Sequence, residues 1–459
     1  MTIVRASSAD PQWLLSHCSG RRAVDIRDGI SRIISAGILL PGTALPTIRD
    51  FAGAAGTSVG TIADAWGSLR DAGLIETRRR GGTVVAGWTK PAQVSTASAG
   101  FAGWSSIDLV QSNADVTLQP SLGAALLSSL DARDLNASGR DYMTERLRTV
   151  VEADWPFESQ AWATAGGGTE ALLLATAAAA PRGSVIAIDE PAAPGFLDTL
   201  RDLGITPIGV SVDESGPRPE SLRAALEKRP VAFVYQPGGP FAIAHQVTEK
   251  RVAELADVLL AHDEPVWVIE DDSIGPLAVE ASPSMGRQLP DRVLRIRSYC
   301  KAYGIDVRTS VLGGSKELVQ RSVKERSRGV GSNSRILQNT LAYLIGSDDA
   351  RASVENARKH YGARRELLVT ALENAGLVAH TGPHSLVVWI DVDNETDALV
   401  ALATQGISVG SGRKSFVDHP DRGLLRISVT QLPDDRVLIE QLAQIIANAA
   451  SGSLREYFD

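Results

Sequence analysis

The N-terminal part of the chain places its apolar residues at helical spacing, whereas beyond about residue 160 they gather into short unbroken runs between amphipathic stretches. Ile26, Ile30, Ile33 and Ile34 fall at i, i+4, i+7 and i+8, one face of a helix that Gly37 is placed to stop. After Leu39-Leu40-Pro41-Gly42, Thr47 stands as N-cap of a second helix with Asp50 three residues on, and Ile48, Phe51, Ala52 and Ala55 form its inner face. Gly56 breaks that helix, Ser58 caps a third, and Ile62, Ala65, Trp66 and Leu69 make its stripe. Two short helices joined by a tight turn are a helix-turn-helix. The runs Leu74–Thr77 and Thr83–Ala86 then predict a hairpin around Arg78-Arg79-Arg80-Gly81-Gly82.

Beyond a patternless stretch, 89–105, rich in Ala, Ser, Gly and Thr, strand-like runs at Ser184–Ile188, Thr206–Val212, Val231–Tyr235, Val266–Glu270 and Val293–Arg297 alternate with helical stretches at Thr169–Ala180, Gly195–Leu203, Glu220–Glu227 and Thr248–His262. That alternation predicts a mainly parallel sheet covered by helices. Past about Ser332 helices dominate, the longest over Ala350–Ala375, and Leu386–Val392 with Leu424–Val429 supply strands of a smaller subdomain. The expected division is an uninformative extension at 1–20, a helical head at 21–88, a tether at 89–105 and a body at 106–459 whose small part begins near 333.

Charge sharpens the division. The chain carries a net charge of −8, yet 21–85 holds nine arginines against six acids, a local +3 that leaves −11 on the remainder. A basic head on an acidic body suggests two kinds of partner. With 44% hydrophobic and 22% charged residues, and no apolar run approaching membrane-spanning length, the chain reads as a cytoplasmic globular protein with no membrane partner. Two distant cysteines, Cys18 and Cys300, exclude a disulfide framework.

The chemistry centres on Ser298-Tyr-Cys-Lys301-Ala-Tyr-Gly-Ile-Asp-Val-Arg308, which follows a predicted strand and so places Lys301 in a loop at a strand's carboxyl end, where open α/β sheets bind ligands. A lysine alone in a loop is usually a solvated charge. Here its amine is suited to a Schiff base with an aldehyde cofactor, and Ser298 and Arg308 to holding a phosphate. The cofactor this suggests is pyridoxal 5'-phosphate. Gly167-Gly168-Thr169 opens a helix, and its bare N–H groups suit the phosphate. Asp271, at the end of another strand, is placed to keep a pyridinium nitrogen protonated.

The head resembles the winged-helix domain of GntR-type bacterial regulators in Leu39-x-Pro41-Gly42-x-x-Leu45-Pro46-Thr47-x-Arg49, Gly56-x-Ser58-x-x-Thr61-Ile62, Gly73-Leu74-Ile75-x-x-Arg78 and Gly82-Thr83-x-Val85. That resemblance implies contacts to double-stranded DNA by Arg49, Ser58 and Thr61, with Arg78, Arg79, Arg80 and Gly82 in the wing. Val59 stands where such regulators usually carry an arginine.

The body resembles fold-type I aminotransferases, and head plus body resemble the MocR family of chimeric regulators. Further matches are Asp108-Leu109, Leu118-Gln119-Pro120, Glu190-Pro191 with Pro194-Gly195, Glu270-Asp271-Asp272 and Leu425-Arg426-Ile427. The implied architecture is α/β: a winged helix-turn-helix, a transferase-like domain with a mainly parallel central sheet, and a small C-terminal α/β subdomain. The resemblance also implies that Arg426 binds an amino acid's carboxylate, that pyridoxal phosphate or a small amino compound is the effector, and that two chains pair head to tail. Three positions depart from the aminotransferase pattern: Ala193 replaces the stacking aromatic, Pro237–Ala242 with Phe241 replaces the Asn-bearing loop, and Ser273 replaces a tyrosine. Two other readings stay open on these residues, a scaffold that has lost the cofactor and a working aminotransferase.

Overall fold

In a computed structural model the described residues are 9–35, 39, 42–72, 74–78, 82–86, 107–133, 135–136, 142–329, 331, 333–418, 420 and 422–451. Gly37 as helix stop, the tether at 89–105, and Arg79 and Arg80 of the wing lie outside them. The chain divides into two compact units, Met1–Thr96 and Ala97–Asp459.

In the first unit, helix Ala23–Ser35 buries Ile26, Ile30 and Ile33. Helix Ile48–Ala55 starts at Thr47, whose Oγ1 accepts from the Asp50 N–H at 3.1 Å, and ends at Gly56 in left-handed backbone with φ 62. Only glycine adopts that conformation without strain, so the turn into the next helix is set by this residue. Ser58 caps helix Val59–Asp71, which buries Ile62, Ala65, Trp66 and Leu69 completely. Trp66 packs on Phe51 with ring centroids 5.1 Å apart. Strands Ile75–Arg78 and Gly82–Val85 pair antiparallel as the wing.

The extension carries no apolar period, yet it forms a helix, Pro11–Leu15, capped by Asp10. Its one fully buried side chain, Leu14, joins the core of the other three helices. A helix this short presents a single anchor, and one residue makes no period.

The second unit is built on a seven-stranded sheet, in the order Ala161–Ala165, Ser310–Gly314, Val293–Ser298, Trp267–Asp272, Ala232–Tyr235, Val185–Asp189, Thr206–Val210. All neighbours run parallel except Ser310–Gly314, antiparallel to both of its partners. That strand and Ala161–Ala165 are absent from the sequence reading because their small residues carry little strand propensity. Close packing requires those small residues: a Cβ on Gly313 would lie 2.6 Å from the Trp162 ring, and one on Gly314 2.2 Å from the Val293 carbonyl oxygen.

One sheet face packs on helices Gly168–Ala179, Phe196–Leu203 and Lys316–Arg326. The opposite face shares the larger core with Pro219–Leu226, Glu249–Leu260 and the 27-residue helix Asp348–Asn374. The C-terminal part has a four-stranded sheet ordered Ala379–His380, Val387–Val392, Gly423–Ser428, Gly410–Ser411. The beginning of the body is woven into it, since Ile107–Asp108 pairs with Ile407–Ser408 and Arg364 bonds both Asp115 and Asp434. No helix among the described residues is long and apolar enough to cross a membrane.

Leu14→Ala is expected to cost the head about 2–5 kcal/mol. Hydrogen exchange should show faster amide exchange through Ile48–Ala55 and Val59–Asp71, with the body's strands unchanged.

Candidate functional site

Strand alternation sorts the charges at the carboxyl edge of the large sheet into two sets. Glu270 and Asp272 lie opposite Arg295 and Arg297 in the parallel pairing of Trp267–Asp272 with Val293–Ser298. Arg295, wholly buried, donates to Glu270 at 3.0 Å and to Asp272 at 2.9 Å, and Arg297 donates to Asp272 at 2.9 Å. Tyr235, Ser284 and the Met285 N–H also donate to Glu270. Burial alone would raise the Asp272 carboxyl, but the two guanidiniums hold it below the usual carboxylate range. With its charges paired, this network avoids the heavy cost of an uncompensated buried charge, although the Asp272 Oδ1 and the Arg295 Nε find no hydrogen-bond partner among the described residues.

Asp271 and Ser298, on the alternate positions, go to the other face, whose core includes Ile269, Leu294 and Ile296. Lys301 follows on a single turn of helix, Cys300–Tyr303, and not in an open loop as the sequence suggests. The Gln119 side chain donates to the Lys301 carbonyl at 3.4 Å. Burial pushes the Lys301 ammonium down from its ordinary value, against the opposing charge of Asp271. Burial likewise pushes the Asp271 carboxyl up to about 6, with Lys301 pulling it back. A lysine so placed releases its proton more readily than one in water, which is the condition for a nucleophilic amine. Asp189 is a further buried acid, missed from sequence: it accepts the Gln236 N–H at 2.9 Å, and desolvation takes it up to about 7. Its signal was the same as that of Asp271, an acid ending a buried strand.

The glycine turn comes against these groups. Gly167 has φ 123 and precedes helix Gly168–Ala179. A Cβ on Gly168 would sit 3.3 Å from the Ser298 Cβ, and one on Gly167 3.9 Å from the Cys300 sulfur, so the bare backbone approaches Ser298 closely. Thr169 is exposed. Arg308 is exposed and in left-handed backbone with φ 39, a strained conformation for a side chain of this kind. Asn333 holds it there, donating to the Arg308 carbonyl at 3.2 Å and to the Ala165 carbonyl, just before the glycines, at 2.8 Å. Behind the turn Glu170 accepts from the Gly166 N–H and from Arg326. Asn333, Glu170 and Arg326 support the turn through contacts distant in sequence, which no local pattern announces.

Arg426, on Gly423–Ser428, is buried, and burial lowers it to about 10. Its Nη2 donates to the Val110 carbonyl at 3.2 Å, but its Nε has no partner among the described residues. An unpaired buried guanidinium N–H is costly, and a carboxylate satisfies it in the geometry guanidinium favours. Phe241 is near both Arg426 and Lys301, its ring centroid 6.0 Å from the Arg426 Cζ and 5.9 Å from the Lys301 Nζ. The same ring packs with Trp389, Ala193 and Phe416. Ala193 and Phe241 count as two separate losses in the sequence; in the structure they belong to one apolar cluster. Ser273 is buried, with its hydroxyl acting on the Asp271 carboxyl.

The residues present fit pyridoxal phosphate at four points: a desolvated amine, a buried acid acting on it, a glycine cradle against a buried serine, and a guanidinium N–H without a partner. In the head, Arg49 and Ser58 are exposed, Thr61 is half-buried with its hydroxyl 2.8 Å from that of Ser58, and Val59 is 52% exposed at the start of its helix. Gly82 is exposed with φ 74. Arg78 pairs with Gly82 in the wing.

Because the folded pKa of Asp271 is raised, its contribution to stability is present in full below the unfolded value, about pH 4, and is lost as pH rises through about 6. In protein dialysed free of small molecules, Asp271→Asn is therefore expected to gain stability over the native chain across that window, levelling off at up to about 3 kcal/mol in urea unfolding.

Residues 127–445 match the family "Aminotransferase class I and II", and residues 22–85 match "Bacterial regulatory proteins, gntR family". The chain is 25% identical over 429 residues to the vitamin B6 salvage pathway transcriptional repressor PtsJ of Salmonella typhimurium, covering 91% of this chain and 96% of that one. It is 27% identical over 296 residues to the aspartate/prephenate aminotransferase of Thermus thermophilus, 62% of this chain and 74% of that one. Among solved structures, a mutant Thermus thermophilus aspartate aminotransferase superposes with TM-score 0.65 at 20% identity, covering 75% of this chain and 96% of that one. The kynurenine aminotransferase of Pyrococcus horikoshii does so with TM-score 0.68 at 16% identity, covering 77% and 92%. These two likenesses speak for the fold. The chain belongs to the class I and II aminotransferase family, and with its gntR-type head it is a DNA-binding regulator fused to an aminotransferase-like domain.

Proposed function

We propose that the body binds pyridoxal phosphate at Lys301 and senses either that cofactor or a small amino compound that reacts with it, and that this controls the head's hold on double-stranded DNA. The observation that carries the reading is the convergence of Lys301, Asp271, Ser298 and the Gly167–Gly168 turn at one strand edge, with Arg426 sharing the Phe241 ring with Lys301.

Bound pyridoxal phosphate supplies an aldehyde that condenses reversibly with amines and a ring that withdraws electrons. Lys301 offers the amine, and Asp271 holds a proton at the ring nitrogen. The N–H groups at Gly167, Gly168 and Thr169, with Ser298 and Arg308, take the phosphate. Arg426 takes the carboxylate of an amino-acid effector, and Phe241 limits what fits beside it. A ligand alters DNA binding only by its differential affinity for two arrangements of the chain, so the effector acts by favouring one of them. A head-to-tail homodimer in the cytoplasm would present two recognition helices to a repeated or palindromic site. A relative named as a vitamin B6 salvage repressor supports this direction. The head and the replacements at Ala193 and Ser273 favour sensing over turnover.

Protein mixed with pyridoxal phosphate and dialysed is expected to be yellow, and Lys301→Ala to be colourless under the same treatment. Native protein that stays colourless overturns the reading. On DNA, log affinity should fall linearly with log salt, and Arg49→Ala should make that slope shallower by about 1. Unchanged slopes would remove Arg49 from the phosphate contacts.

A further inference from the structure

On the other side of the loop that bears Phe241 is a cavity of about 290 Å³, lined in part by Pro237, Gly238, His245, Ser282, Glu280 and His384. It is distinct from the Lys301 site: its Ser282–Pro283 wall receives hydrogen bonds from Arg295, on the face of the sheet that carries Glu270 and Asp272. The volume is near the lower end of small-ligand pockets.

His245 is 4% exposed, and neither ring nitrogen makes a hydrogen bond among the described residues; its Nδ1 is fully enclosed. A buried imidazole left unpaired is costly, and a ligand from outside the chain would offset that cost. The Nδ1 of His384 is likewise enclosed and unpartnered, while its Nε2 is 3.2 Å from the Gln246 amide. Burial drives His245 down to about 4, so that ring supplies hydrogen bonds without charge, and burial also lowers His384.

The charged side chains on the lining are both acidic, Glu280 and Glu249, and Gln246 reaches Glu280 at 3.5 Å. One further acceptor is close by: the unpaired Asp272 Oδ1, which a Cβ on Gly238 would approach to 3.3 Å. Arg358 and Arg365 act on His384 from beyond the lining, whereas the lining side chains themselves carry carboxylates and no lysine or arginine, so the Glu280 side suits an ammonium donor.

We propose that this cavity is a second binding site, separate from Lys301, for a small organic cation bearing a primary amine, with His245 as hydrogen-bond partner and Glu280 as counter-charge. The loop that walls it, Pro237–Gly238, continues into Phe241 over Lys301.

The test uses the full-length Lys301→Ala protein, so that amines cannot condense at Lys301, and ligand-observed NMR titration with 1,4-diaminobutane and, separately, acetate. The proposal expects saturable binding of 1,4-diaminobutane, none of acetate, at least about tenfold weaker binding after Glu280→Gln, and loss of binding after His245→Phe. Thermal melts show whether each variant is folded; should His245→Phe fail to fold, Glu280→Gln, at an exposed residue, decides alone. Absence of saturable amine binding, equal binding of acetate, or affinity unchanged in folded Glu280→Gln would overturn the site.

Discussion

The amine of Lys301 and the acid of Asp271 share a space in which burial works against both charges, the first pushed down and the second up to about 6. Among the described residues each offsets part of the other's burial cost by its opposite charge. A pair in this condition is poised to exchange a proton and to accept a ligand that relieves the conflict. The remaining architecture serves to keep the two together. The strand Trp267–Asp272 sends Asp271 to one face while its neighbours Glu270 and Asp272 clamp Arg295 and Arg297 on the other. The same hydrogen bonds that hold the sheet edge rigid therefore fix where the acid stands, and the turn of helix after Val293–Ser298 fixes the amine.

The departures from an ordinary aminotransferase act together. Removing an aromatic at position 193 and placing one at 241 shifts a ring within a single cluster, so that it lies near both Lys301 and Arg426. The Arg426 guanidinium keeps an N–H without a partner among the described residues. Under the proposed function this arrangement would hold an amino acid near the amine while changing the surface a cofactor ring meets. Such a body suits a receptor, for which binding matters more than rapid release of product.

Most of the large sheet could be read in the sequence because its inner strands open on short apolar runs, such as 185–188 and 266–269, that alternate with helices of clear period. Ser310–Gly314 and Ala161–Ala165 could not, since tight packing against Trp162 and the neighbouring backbone selects glycine and alanine, which look like turn residues. The places of Lys301, Asp271 and the glycine turn were legible because each sits at a strand end or helix start, where local pattern is strong. Asn333, Glu170 and Arg326 were not, because their roles rest on contacts over long separations. The relation of Phe241 to Ala193 needed three dimensions, as the two are 48 positions apart.

The central claim is that one amine captures the cofactor. Full-length protein incubated with pyridoxal phosphate, reduced with borohydride, digested and mapped by mass spectrometry tests it at the level of the bond. The account predicts the phosphopyridoxyl group on Lys301, near one per chain, and its absence in Lys301→Ala. Label spread over surface lysines with Lys301 unmodified would contradict it.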